Sequence, residues 1–170
     1  MNDIIDQQAQ PNLAPKEKLN ESRRKFGNDL IEAGYTILPS ILITRQKALG
    51  LDPIHINILL VLMTYWWTAD TLPYPSKKTM AEIIGVDEST VRRRIAEMEK
   101  WKFIKRVQRR VEHNRNQTNI YDFAGLIEAL QPFAQEEIEA KKAAKIAKEK
   151  RVSSKKPVLK AKLGLTVAEL

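Results

Sequence analysis

The spacing of apolar residues shifts along the chain, and each shift predicts an element. From Pro75 to Trp101 the sequence reads PSKKTMAEIIGVDESTVRRRIAEMEKW. Met80, Ile83 and Ile84 recur at helical spacing, as do Val91, Ile95 and Met98, which predicts two short amphipathic helices. Ser76 and Asp87 stand at the two helix starts, each offering a side-chain oxygen to an unpaired first-turn amide. Gly85 lies between them, where a left-handed helix end costs a residue without Cβ least. At about 100° per residue, Ser89, Arg93 and Lys100 lie opposite Val91, flanked by Arg92 and Ala96 on one side and Glu97 on the other.

Upstream, residues 1–25 are polar, with Pro11 and Pro15, and read as a disordered arm. Its Lys16, Lys18, Arg23, Arg24 and Lys25 are read as solvated, or as phosphate contacts if the arm lies near a duplex. Gly34 to Leu38 predicts a short strand and Ser40 to Ala48 a short helix closed by Gly50. Asp52-Pro53 is an N-cap followed by proline at the first helical position. It opens the most apolar segment, from Ile54 to Trp67. A helix apolar on more than one side is buried on several sides, so this is the expected central helix. His55 on it is read as a polar-edge residue rather than a ligand.

After Trp101 the period becomes two. Phe103 to Val111 and Thr118 to Phe123 predict a β-hairpin around the loop EHNRNQ. Such a hairpin is marginal alone; Val107, Val111, Ile120 and Tyr121 can seat it on the helices. Ala124 to Phe133 predicts another short helix, with Pro132 near its end. Gln135 to Arg151 predicts a separate exposed helix with Glu–Lys pairs, and Val152 to Lys162 reads as a linker. The expected class is therefore mainly α with a small β-hairpin, arranged as an arm (1–25), a domain (26–134) and a basic helical or disordered tail (135–170).

Charge sharpens this picture. The net charge is +8 and the pI near 9.7, which points to an anionic partner, nucleic acid before membrane. Between Arg92 and Arg115 stand ten Lys or Arg against three acids, Glu97, Glu99 and Glu112. There is no cysteine, so disulfides and thiolate sites are excluded. The polar start MNDIIDQQAQ has no apolar core of a signal peptide, and the longest apolar run, Ile58 to Met63, is too short to span a bilayer. The expectation is a cytoplasmic protein with no membrane partner. His55 and His113 are far apart, and no phosphate-loop, nucleophile-elbow or zinc-protease spacing occurs. No catalytic residue, metal ligand or cofactor is expected.

From about Gly34 to Gly125 the sequence resembles the winged helix-turn-helix proteins of plasmid and phage replication initiators and related small regulators. GYTILPSIL resembles the strand and short helix that precede the first core helix in that group. LGLDPIHINILLVLM looks like that core helix, YPSKKTMAEIIGVDESTVRRRIAEMEKWKFI resembles the helix pair that follows it, and TNIYDF is similar to the closing wing strand. One departure is Lys102, where the group usually has glycine; it predicts a different helix end and a displaced wing. The resemblance implies double-stranded DNA as partner. It puts Ser89, Thr90, Arg92, Arg93 and Arg94 on a recognition helix, with Ser76, Lys77, Lys78 and Lys100 at the backbone. The wing then carries Lys105, Arg106, Arg109, Arg110 and Arg115. Transcriptional regulation is the first expectation; a replication role, or an adaptor whose C-terminal tail binds a protein, are the alternatives. A homodimer formed through Trp66 and Trp67, and a monomer with the N-terminal segment over that helix, both stay open.

Overall fold

In the computed structural model, which describes residues 15–107 and 119–153, the chain divides into two units, one ending at Leu38 and one starting at Pro39. The first holds α1 (Pro15–Phe26) and α2 (Asn28–Ala33). Residues expected to form an arm are thus helical from Pro15 onward. Glu17 in the first turn of α1 and Arg23, Arg24 and Lys25 in the last complement the helix dipole at both ends. Gly27, at φ 84, closes α1 by donating its N–H to the Arg23 carbonyl. Residues 34–38 are not a strand, because an extended run needs a neighbour to bond and none pairs with it among the described residues.

The second unit is built on α4. First comes α3 (Ser40–Thr44), shorter than expected, followed by turns that end where Leu51 N–H bonds the Gln46 carbonyl. Then α4 runs from Pro53 to Thr64, with Ile56, Ile58, Leu59, Val61 and Leu62 buried. Its first turn is closed by a reciprocal capping box. The Asp52 carboxylate accepts from His55 N–H at 2.9 Å, while the Asp52 N–H donates to His55 Nδ1 at 3.1 Å. His55 is therefore no edge residue; it is 2% exposed. Trp66 stacks on Phe123 at 5.2 Å, whereas Trp67 is 78% exposed, so the apolar run ends outside the core.

Next come α5 (Lys77–Ile84) and α6 (Glu88–Lys100), both packed on α4 and on each other. Met80 and Ala81 of α5 face Val91, Ile95 and Met98 of α6 in the buried core, while Ile83 stays exposed. The Ser76 hydroxyl caps α5 by accepting from Thr79 N–H at 3.0 Å. Gly85 takes the left-handed conformation, φ 77 and ψ 38, as its position predicts. Asp87 holds the N-cap position of α6, but its side chain makes no capping bond.

Strands β1 (Lys105–Val107) and β2 (Ile120–Asp122) pair antiparallel, Arg106 opposite Tyr121. Tyr121, Phe123 and Ile104 anchor the hairpin in the core, and Tyr121 N–H bonds the Pro73 carbonyl. Val107 is exposed and Val111 lies outside the described residues. Ala124–Ser153 forms one helix, α7, where two were expected. Pro132 removes one N–H from the ladder, yet the turn beyond it is tied down: Arg45 lies over the Phe133 ring at 5.8 Å and 3.8 Å from Glu136. From Ile138 to Ser153 every α7 residue is exposed.

Candidate nucleic-acid interface

The α5–turn–α6 unit presents one side of α6 outward. Because Val91, Ile95 and Met98 are fully buried, helical geometry forces Ser89, Arg93 and Lys100 to the opposite side, where all three are exposed. Thr90 is half-buried at the first turn. Arg92 is exposed beside Glu88, 3.1 Å away on the preceding turn, a pairing that solvent weakens. Arg93, Lys100, Lys102 and Lys105 are exposed and make no ion pair with another described residue. On α5, Lys77 is half-buried and Lys78 lies 3.9 Å from Glu82 in solvent. The Ser76 hydroxyl is already engaged by Thr79.

Two expected contact residues do not belong to this outward set. Arg94 is folded onto α4, its Nη2 2.7 Å from Asp52 and its Nη1 2.8 Å from Glu97. Arg106 is clasped by Glu99, Nε and Nη2 each 2.5 Å from a carboxylate oxygen. Their side chains are 24% and 30% exposed. Each guanidinium thus has two of its five N–H donors engaged by carboxylates and is turned away from the outward set. Arg109, Arg110 and Arg115 lie outside the described residues.

The electrostatics follow the geometry. The Arg94 hydrogen bond holds the Glu97 carboxyl below its ordinary value, against the opposing effect of burial. Burial pushes the Asp52 carboxyl up, but the His55 N–H and nearby positive charge more than offset it, leaving it lowered. The Glu99 hydrogen bond raises Arg106, and burial pushes the Tyr121 phenol up to about 12.

The wing begins without the glycine usual at this point. Lys102 itself takes the left-handed conformation, at φ 62. Its N–H bonds the Glu99 carbonyl and the Phe103 N–H bonds the Met98 carbonyl, both at 2.9 Å, the paired bonds of a Schellman ending. The helix end is thus the ordinary one, formed with lysine in place of glycine. The chain accommodates it at Gly125, where an added Cβ would stand 1.8 Å from the Lys102 carbonyl oxygen.

Helix, glycine turn, second helix and hairpin follow one another on a buried helix, and residues 49–104 match a family described as a helix-turn-helix domain. This segment has a helix-turn-helix fold. With the β1–β2 hairpin behind α6, its fold is that of a winged helix-turn-helix. Solved structures share limited likeness with the whole chain. A possible transcriptional regulator from Methanosarcina mazei Go1 is 17% identical, at a TM-score of 0.40 over 68% of this chain and 96% of that one. The transcriptional regulator PA3341 is 18% identical, at 0.36 over 81% and 93%. No curated protein matches the sequence. The helix-turn-helix domain's own geometry therefore carries the functional argument.

Sequence alone missed the Asp52 and Glu97 partners of Arg94, and the contact of His55 with the same two carboxylates. A helical wheel held the signal, since Arg94 lies only about 40° from buried Met98 and one turn before Glu97. Among the described residues no cluster of three metal-ligating side chains occurs, and no helix is long and apolar enough to cross a membrane.

Proposed function

We propose that the helix-turn-helix domain binds double-stranded DNA sequence-selectively and acts in transcriptional regulation, with α6 in the major groove. The observation that carries this reading is the outer face of α6. Ser89, Arg93 and Lys100 stand exposed on a helix whose other side is closed by core packing. The major groove admits one helix, and arginine forks onto guanine there, discriminating by roughly 1–3 kcal/mol per good pair. In this reading Arg93, with Arg92 beside it, reads bases. Thr90 and the α6 amides hold phosphate, an arrangement helped by the lack of a side-chain cap from Asp87. Lys77, Lys78, Lys100 and Lys105 line the backbone, as does Ser76 if it exchanges its Thr79 bond. Arg109, Arg110 and Arg115 carry the grip of the wing.

A second reading concerns α7. Every residue of its Ile138–Ser153 portion is exposed, which suits a surface for a protein partner or an added phosphate clamp. Deleting residues 135–170 separates these: DNA affinity survives in the first case and falls in the second. Pairing of two chains on a palindromic site also belongs to this proposal, with exposed Trp67 as its apolar anchor.

The test is selection of bound duplexes from a random pool at two salt concentrations. An enriched motif that survives the higher salt supports the reading, and a palindrome adds the dimer. If nothing is enriched and binding vanishes with salt, sequence-selective recognition is wrong.

A further inference from the structure

Beneath the proposed recognition helix lies a cluster of four polar side chains that no part of the DNA-binding reading uses. Arg94 on α6 bridges two carboxylates, Asp52 at the start of α4 and Glu97 one turn on. His55 Nε2 meets the same Glu97 oxygen, Oε2, at 3.0 Å. The Trp101 ring lies 5.2 Å from the imidazole and walls off the His55 side. The capping box also fixes the place of the ring. His55 Nδ1 lies 3.1 Å from the Asp52 N and 2.9 Å from Asp52 Oδ1, and Nε2, facing the Glu97 carboxylate, is placed to donate to it.

We propose that the Asp52–His55–Glu97–Arg94 cluster is a positioning device that fixes the rotation and pitch of α6 on α4, and so sets discrimination between DNA sequences although none of the four touches DNA. This rests on the DNA-binding reading above. The apolar contact between the helices, through Val91, Ile95 and Met98, is non-directional and tolerates small rotations. The polar bonds are directional, and each member holds at least one other in place. Stability alone does not account for the cluster: Arg94 Nε is buried with no partner, a cost that an apolar contact would avoid. It is not built to attract DNA either, since two carboxylates offset the guanidinium and the imidazole they surround. What remains for it is alignment. A bidentate contact between Arg93 and a base edge depends on helix orientation, whereas contact with phosphate depends on it far less.

The experiment uses the full chain and the duplex that it selects, with an unrelated duplex for comparison. Affinities of wild type, Arg94→Met, Glu97→Ala, Glu97→Gln and Arg93→Ala are measured across salt, with circular dichroism to establish the folded fraction. Arg94→Met and Glu97→Ala should lower the ratio of selected to unrelated affinity by about tenfold. Glu97→Gln, which keeps an acceptor for both partners, should restore most of that ratio. The dependence of log K on log salt should stay at the wild-type slope in all cluster variants. A drop of about 0.9 in that slope for Arg94→Met marks a phosphate contact and overturns the proposal. So does a loss equal for both duplexes that follows the unfolded fraction, which would mark a merely structural role. Nitrogen NMR of His55 supplies a readout independent of DNA and of any variant's folding: a proton on Nε2 is expected, and a bare Nε2 refutes the arrangement. If wild type itself prefers no duplex, the DNA-binding reading fails and this proposal with it. If wild type is selective and the variants equally so, only this proposal fails.

Discussion

The two sides of α6 are built from the same residue types for different ends. On the outer side Arg92, Arg93 and Lys100 stand in solvent. On the α4 side Arg94 is folded between Asp52 and Glu97. The wing repeats the contrast: Lys105 points into solvent while its neighbour Arg106 is forked onto Glu99. A run of three consecutive arginines is therefore not one uniform basic surface. Charge density along the sequence shows that cations are present; the helical period and the placement of carboxylates decide which remain free for a partner.

The comparison can be broken in several places. The largest expected effect is at its apolar foundation. Ile95→Ala empties a fully buried site and should cost about 2–5 kcal/mol in denaturant unfolding. A loss under 1 kcal/mol would mean that α6 is not seated as described. Next come the two adjacent arginines. Arg94→Ala should cost about 1–3 kcal/mol, less than a fully buried pair because its side chain is a quarter exposed. Arg93→Ala should stay within about 0.5 kcal/mol. Equal losses of stability would erase the distinction between the two sides.

Acid provides a third test. Asp52 and Glu97 have folded-state values below their ordinary 3.8 and 4.5. Their contribution is thus fully present above those unfolded values and is lost as pH falls through the lowered folded ones. Thermal midpoints should decline below about pH 4.5, and the Glu97→Gln variant should show a shallower decline; an identical acid profile would detach the cluster from stability. The smallest effect lies at the helix end. Lys102→Gly relieves a left-handed lysine and should stabilise by roughly 0.5–1 kcal/mol, the αL penalty less glycine's extra chain entropy. A destabilised Lys102→Gly would show that the lysine side chain contributes packing of its own.

Much of the helix-turn-helix was legible because its signals are local. Ser76, Gly85 and the Asp52-Pro53 pair act within one turn of themselves, and each sits where its chemistry predicts. The misreadings arise where hydrogen bonds or packing, or the lack of a partner, override a residue's own propensity. Pro132 signals a helix stop, yet α7 runs on through it, with Arg45, just past the end of α3, holding the following turn. Gly34–Leu38 has strand-like residues and no described partner to pair with. Lys102 is the wrong residue for a left-handed end by propensity, but the Met98 and Glu99 carbonyls are bonded there nonetheless.

By itself, then, the sequence determined the order of elements in the helix-turn-helix, the hairpin behind it and which side of α6 is apolar, because periodicity, caps and turn residues act over a few positions. Only the tertiary structure decided which cations are free. That choice depends on carboxylates brought in from forty residues away in sequence, as Asp52 is to Arg94, or from the end of a neighbouring helix, as Glu99 is to Arg106. An arginine's partner is set by distance in space; a helical wheel records those one turn away, such as Glu97 for Arg94, and not those brought in by the fold.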